Sequence, residues 1–218
     1  MRLPPLYPLV DVDACRARGL DPLTVLAACL DGGARFVQLR DKRPQSGARL
    51  ALADAAVALT RAAGGHLVVN DRADLALMCG ADGVHVGQDD LPVEDVRRLV
   101  GPAMIVGVST HDERQLAAAA ATSADYIAVG PIYGTATKDT GYQARGLDLV
   151  REASLRLADA RSGQARPVVA IGGITLERAP EVLAAGATSV AVISDLLTAG
   201  DPAARVRAFL GGLSERRV

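Results

Sequence analysis

The feature that most constrains this chain is a strict alternation of short apolar runs with Ala/Leu-rich helical stretches. The apolar runs are Leu6–Val10, Phe36–Arg40, Leu67–Asn70, Val84–Val86, Met104–Val108, Tyr126–Val129, Val168–Ile171 and Val190–Ile193. The helical stretches between and after them are Pro22–Asp31, Gly47–Ala63, Arg72–Cys79, Val93–Val100, Asp112–Ala121, Leu147–Ala160, Leu176–Ala184 and Pro202–Leu210. The apolar runs are continuous rather than alternating polar and apolar, as expected of parallel strands buried on both faces. "GARF", "GADG" and "GATS" each place Gly after a helix and just before a strand, a C-cap and turn signal; "SADY" fills the same slot with Ser123. Eight such units in 218 residues predict a compact (β/α)₈ barrel, an α/β fold, as a single domain over 1–218. An open doubly wound sheet is the weaker alternative, because no G-x-G-x-x-G follows the first strand.

Composition narrows the function. Half the residues are apolar, enough for a sizeable core, and the net charge of −1 creates no field for nucleic acid or anionic lipid. The start, "MRLPPLYPLV", is a poor signal peptide, and no run reaches the roughly 18 apolar residues of a membrane span. Cys15, Cys29 and Cys79 are odd in number, far apart and in apolar helical contexts. They read as core residues of a cytoplasmic protein. The expected partners are small molecules, with neither nucleic acid nor membrane; a homo-oligomer is compatible with the chain.

Scarce residues point to a site. All 24 basic residues are Arg except Lys42 and Lys138, and Asn70 is the single Asn. All three fall just past strand ends, on the face where chemistry sits in a barrel of this kind. The second strand delivers Gln38, Arg40 and Lys42. The third delivers Asn70-Asp71-Arg72, and the fourth His85 and then Gln88-Asp89-Asp90. The fifth gives Ser109, Thr110 and His111, and the sixth "GPIYGTATKD". The seventh and eighth give "IGGIT" and "ISD".

Gln38 and Arg40 share one face of their strand, directed into the mouth. Arg40 and Lys42 suit a polyphosphate, the one as a fork and the other as a point charge; the alternative, a surface ion pair with Asp41, fits Arg43 better. Asp71 and Asp90 follow adjacent strands. Two carboxylates with substrate oxygens and water suit Mg²⁺, which seldom has an all-protein cage. Both could instead cap helices, Asp71 before "ADLAL" and Asp89 or Asp90 before the helix after Pro92. Gly172-Gly173, with Ile193-Ser194 one strand later and a short helical turn beyond, suggests a phosphate cradle. Of the histidines, His85 suits a packed, hydrogen-bonded place in the barrel, and His66 an exposed one.

"VQLRDK", "VVNDRADLALMCGADGVHVGQDDLP", "IVGVSTH", "DYIAVGPIYGTATKDTG" and "VAIGGIT" together resemble the thiamine-phosphate synthase family, over nearly the whole chain and in the family's order. The resemblance implies a transferase on a (β/α)₈ barrel with Mg²⁺. It would join a hydroxymethylpyrimidine diphosphate to a thiazole phosphate, or its carboxylated form, releasing pyrophosphate and forming thiamine phosphate. It implies that Gln38, Arg40, Lys42, Asn70, Ser109 and Lys138 bind the pyrimidine diphosphate. Asp71 and Asp90 would bind Mg²⁺, and Thr135, Thr137, Gly173, Ile193 and Ser194 would hold the thiazole phosphate. Arg40, Lys42 and Lys138 would stabilise the charge growing on the leaving diphosphate. Gly134 departs from the family's usual Pro, and the stretch from Asp139 to Arg145 has its own sequence. The rival readings are a thiazole tautomerase on the same barrel, which needs a proton shuttle and no diphosphate clamp, and a non-catalytic phosphate-binding sensor.

Overall fold

The structure is a computed structural model that describes residues 2–134, 141–158, 165–198 and 200–214. Eight parallel strands close into a barrel in sequence order: β1 (Leu6–Asp11), β2 (Phe36–Arg40), β3 (His66–Asn70), β4 (Gly83–Val86), β5 (Ile105–Thr110), β6 (Tyr126–Val129), β7 (Val168–Ile171) and β8 (Ser189–Val192). β8 pairs back onto β1, with Tyr7 opposite Ala191, so the sheet has no free edge. The barrel expected from the alternation is the barrel found.

Around it lie α1 (Val12–Arg16), α2 (Pro22–Asp31), α3 (Ser46–Ala62), α4 (Ala73–Met78), α5 (Val93–Val100), α6 (Glu113–Ala120), α7 (Gly146–Leu157), α8 (Ala179–Ala184) and α9 (Pro202–Ser214). Local chemistry sets several starts. Asp21 accepts from the Thr24 N–H at 2.9 Å with Pro22 in the first turn, and Asp112 accepts from the Gln115 N–H at 2.7 Å. The glycines of the three αβ turns, Gly33, Gly80 and Gly186, all have positive φ, as a C-terminal stop requires.

Strand parity divides the apolar residues into two cores. In β6, Ile127 and Val129 face the helices, whereas Tyr126 and Ala128 face the lumen with Tyr7, Leu9, Phe36, Val68, Val169 and Ala191. Ile127 is fully buried, a contribution of roughly 1.5–3 kcal/mol from that side chain alone.

Two elements differ from the sequence reading. α1 is a five-residue helix that apolar periodicity could not show; it exists because Asp11, ending β1, caps the Ala14 N–H at 2.8 Å. β5 runs through Thr110, so Ser109 is a strand residue aimed into the lumen rather than part of a loop. The expected turn after β8 is a 3₁₀ helix over Ser194–Leu197. Cys15 and Cys29 are buried and Cys79 half-buried, all as free thiols. Burial pushes Cys15 up to about 11 and Cys29 to about 12, which leaves both unreactive near neutrality.

Candidate active site

The carboxyl ends of the strands form the barrel mouth, and two connected cavities open there. The deeper one is a slot in the lumen with walls of Leu9, Ala128, Val169, Ile171, Ala191 and Ile193. Its polar lining is Tyr7, Gln38, Arg40, Asn70, His85 and Ser109. Above it lies a polar cavity of about 210 Å³, whose lining includes Lys42, Asp71, Gln88, Asp89, Asp90, His111 and Tyr142. Asn70, His85 and Ser109 line both.

The cations are held in place by carboxylates. Arg40 pairs through Nη1 with Asp11, which is buried at the end of β1. That partner was not anticipated, although Asp11 shares the inward parity of Tyr7 and Leu9. The Arg40 Nε and the Asn70 Nδ2 are both buried with no hydrogen-bond partner among the described residues. Orphaned donors of this kind are costly unless a ligand oxygen meets them. Lys42 Nζ pairs with Asp71 Oδ2. Arg43 forms a separate fork on Asp41, as the local alternative suggested, with Nε–Oδ1 at 2.9 Å and Nη2–Oδ2 at 2.5 Å.

Asp71 has φ +65°, and it is the one non-glycine residue with positive φ among the described residues. The Arg72 N–H reaches back to the Asn70 carbonyl at 2.8 Å, closing a tight γ-turn around Asp71. Strain at one carboxylate in a cavity is a mark of function rather than of packing. Neither capping alternative holds. Helix α4 begins on Arg72 and α5 on Pro92, each without a side-chain cap. Asp90 Oδ2 instead accepts from the Gly87 N–H at 2.7 Å, which orders the loop and leaves the carboxyl facing Asp71.

The two carboxyls perturb each other. Burial raises Asp90, and the facing Asp71 raises it further against the Gly87 N–H. Burial also pushes Asp71 up, but hydrogen bonds from Lys42 and Asp90 and the charges of Lys42 and Arg40 outweigh it and hold Asp71 low. Two facing carboxyls in one polar cavity fit a divalent metal. No group of three or more His, Cys, Asp or Glu side chains could hold a metal among the described residues. A metal on Asp71 and Asp90 would therefore take its remaining ligands from water and substrate, the habit of Mg²⁺.

The cradle lies across the mouth. Gly172 and Gly173 have φ of 103° and 62°. A Cβ on Gly173 would sit 2.6 Å from the Gly134 carbonyl oxygen, so both space and backbone demand glycine. Ile193 and Ser194 open the 3₁₀ helix beside it. A buried carboxylate locks the two loops together: Asp195 accepts from the Leu176 N–H at 3.2 Å and from Arg205 through Nε at 2.9 Å and Nη2 at 3.0 Å. Thr135, Thr137 and Lys138 lie outside the described residues. Beyond that segment, the Tyr142 ring stacks on His111 at 4.1 Å and 18°. His66 is exposed and bonded to Asp82, whereas His85 is buried between Tyr126 and Ser109.

A family model described as thiamine monophosphate synthase matches residues 6–196. A thiamine-phosphate synthase of Roseiflexus castenholzii is 44% identical over 211 residues, covering 97% of this chain and 89% of that one. One from a Mycobacterium species is 44% identical over 217 residues, covering 94% and 91%. The solved thiamine phosphate pyrophosphorylase of Pyrococcus furiosus superposes with a TM-score of 0.82 at 30% identity, covering 96% of this chain and 95% of that one. The agreement spans the strands that bear both halves of the mouth, and on that ground the chain belongs to the thiamine monophosphate synthase family.

Proposed function

We propose that the protein joins 4-amino-2-methyl-5-hydroxymethylpyrimidine diphosphate to 4-methyl-5-(2-phosphoethyl)thiazole, or to its 2-carboxy form with loss of CO₂, giving thiamine phosphate and pyrophosphate. The observation that carries this reading is the pairing of unlike anion sites on one mouth. One is a clamp with unpartnered Arg40 Nε and Asn70 Nδ2 beside two facing carboxyls; the other is a glycine cradle with Ser194. A tautomerase has use for the second alone. The reading places the protein in the cytoplasm with small molecules as its partners; no helix among the described residues is long and apolar enough to cross a membrane.

In the proposed reaction the bond between the pyrimidine methylene and the diphosphate oxygen breaks. Its electron pair leaves with the diphosphate. The thiazole nitrogen then captures the methylene with its lone pair. That nitrogen carries no proton, so no general base is required. Arg40, Lys42 and Lys138 meet charge that grows on the leaving group. They favour the transition state over the bound substrate. Asp71 and Asp90 would hold Mg²⁺, which would supply further positive charge to stabilise the leaving group. The deep slot takes the flat pyrimidine against its apolar walls, with Gln38, Asn70 and Ser109 as polar contacts. Gly173, Ile193 and Ser194, with Thr135 and Thr137, hold the thiazole phosphate.

The test is chromatography of a reaction containing both substrates and Mg²⁺. Thiamine phosphate and pyrophosphate should accumulate in equal amounts over many turnovers. Isomerisation of a thiazole carboxylate phosphate without coupling would replace this reading by the tautomerase. Binding of both ligands without product would replace it by the sensor.

A further inference from the structure

Along the slot, four of its lining side chains and Tyr126 behind them, from five strands, form one unbroken hydrogen-bond chain. Gln38 Nε2 donates to Tyr7 Oη at 2.9 Å, and Tyr7 Oη lies 3.0 Å from Tyr126 Oη. Tyr126 Oη lies 2.9 Å from His85 Nδ1, and His85 Nε2 lies 2.8 Å from Ser109 Oγ. All five residues are buried, and Tyr126 is at 0% exposure. The lumen is shaped for this chain. A Cβ on Gly107 would fall 2.1 Å from Tyr126 Cζ, so an alanine there could not coexist with the phenol. The His85 ring stacks on the Tyr126 ring at 5.5 Å and 22°, which fixes both planes.

Counting protons gives the chain a direction. Burial raises both phenols well above their ordinary value, so each keeps one proton. Tyr7 accepts from Gln38, and its own proton must go to Tyr126. For an imidazole with a single ring hydrogen, the Tyr126 proton then goes to His85 Nδ1 and the ring hydrogen sits on Nε2, facing Ser109 Oγ. Ser109 accepts there, and its hydroxyl proton is directed to the slot, while Gln38 presents its carbonyl oxygen. If the Gln38 amide is turned over, every bond in the chain reverses. Ser109 then presents a lone pair and Gln38 an NH₂. The two ends are therefore always of opposite kind.

We infer that Tyr7, Tyr126 and His85 are positioning residues, a relay that makes Gln38 and Ser109 a matched acceptor–donor pair for the adjacent amino group and ring nitrogen of an aminopyrimidine. The inference rests on the function proposed above. It concerns the heterocycle, because Gln38 and Tyr7 line the apolar-walled slot alone, whereas His85 and Ser109 line both the slot and the polar cavity above it. Tyr7 does not line the cavity above, and its hydrogen-bonded connection to Ser109 runs through Tyr126 and His85.

The experiment is a double-mutant cycle on binding, with the hydroxymethylpyrimidine diphosphate and its counterpart lacking the amino group as probes. Tyr7→Phe, Ser109→Ala and the double variant are compared, with thermal melts to confirm folding. The relay predicts that Tyr7→Phe weakens the amino ligand by about tenfold or more. It also predicts that the double variant is much less impaired than the product of the single effects. Discrimination between the two probes should shrink by a similar factor, while the KM for the thiazole phosphate and inhibition by pyrophosphate stay near wild type. Independent sites combine to within about twofold of the product, so a multiplicative outcome overturns the relay. An unchanged probe ratio in Tyr7→Phe overturns it as well. His85→Gln, which shortens the chain on another strand, gives a second reading of the same ratio if either tyrosine variant folds poorly. A wild-type protein that binds neither probe would overturn the proposed function itself, whereas normal thiamine phosphate formation with multiplicative variants removes the relay alone.

Discussion

Replacing Asp71 with Asn tests the proposed metal role apart from the structural one, because the structure assigns a small cost to the fold and the proposed role a large cost to the reaction. Asparagine adopts positive φ as readily as aspartate, so the strain at φ +65° is unchanged. The ion pair with Lys42 is lost, but the Lys42 side chain is 43% exposed, and such pairs contribute about 0–1 kcal/mol. Against that loss, Asp90 sheds the neighbour that helps raise it. A carboxyl raised in the folded state adds stability below its unfolded value near about 3.9 and loses it as pH rises. The variant therefore regains stability at neutral pH. The balance is within about 1 kcal/mol, a melting shift under about 4 °C for a chain of this size. Turnover should fall by about 10² or more, equivalent to about 2.7 kcal/mol of transition-state stabilisation. The assay is pyrophosphate release across a Mg²⁺ titration, beside a thermal melt of the same preparation. Near-normal turnover with an unchanged Mg²⁺ dependence would refute the ligand role. A melting point lowered by more than about 10 °C would instead make Asp71 a structural residue.

Four further outcomes are expected. Gly107→Ala drives a methyl into the Tyr126 ring and should destabilise by about 1–3 kcal/mol in denaturant titration; an unchanged midpoint would mean that the lumen yields more easily than its contacts indicate. Asp195→Ala leaves the Leu176 N–H unpaired and Arg205 with only its 3.4 Å contact to Glu177, so it should cost about 2–3 kcal/mol and raise the KM for the thiazole phosphate more than that for the pyrimidine diphosphate. Lys138→Arg should lower turnover with the melt intact, since a rigid fork replaces a compact charge; kinetics like those of wild type would make the scarcity of Lys compositional. Asp41 is pushed up by burial but held low overall by Arg43, so its contribution is present above about pH 4 and fades as pH falls below that. The stability gap between wild type and Asp41→Asn should therefore close in acid, and a gap independent of pH would refute the pairing.

The barrel was legible in the chain because its signal is local. Continuous apolar runs at regular intervals can only be parallel strands covered on both faces, and glycines with positive φ punctuate the turns. The side of the mouth was legible for the same reason, since parity carries Gln38 and Arg40 inward together and any polar residue at a carboxyl strand end joins that rim. Partnership was not legible. Arg40 meets Asp11 and Lys42 meets Asp71 across 29 positions of sequence, and nothing in either stretch names the other. Capping and metal binding remained equal for Asp71 and Asp90 until the backbone turned: positive φ at Asp71 and the Gly87 contact of Asp90 take both carboxyls off the helix starts and aim them at each other. The relay is farther still from sequence reading. Tyr7 and Tyr126 look like ordinary strand residues, and Gly107 like a weak point in a strand. Closure of the sheet sets the register that places them in one lumen layer, where the missing Cβ of one residue becomes room for the ring of another. Periodicity along the chain determined which residues face inward; the closure and stagger of the barrel decided which of them touch.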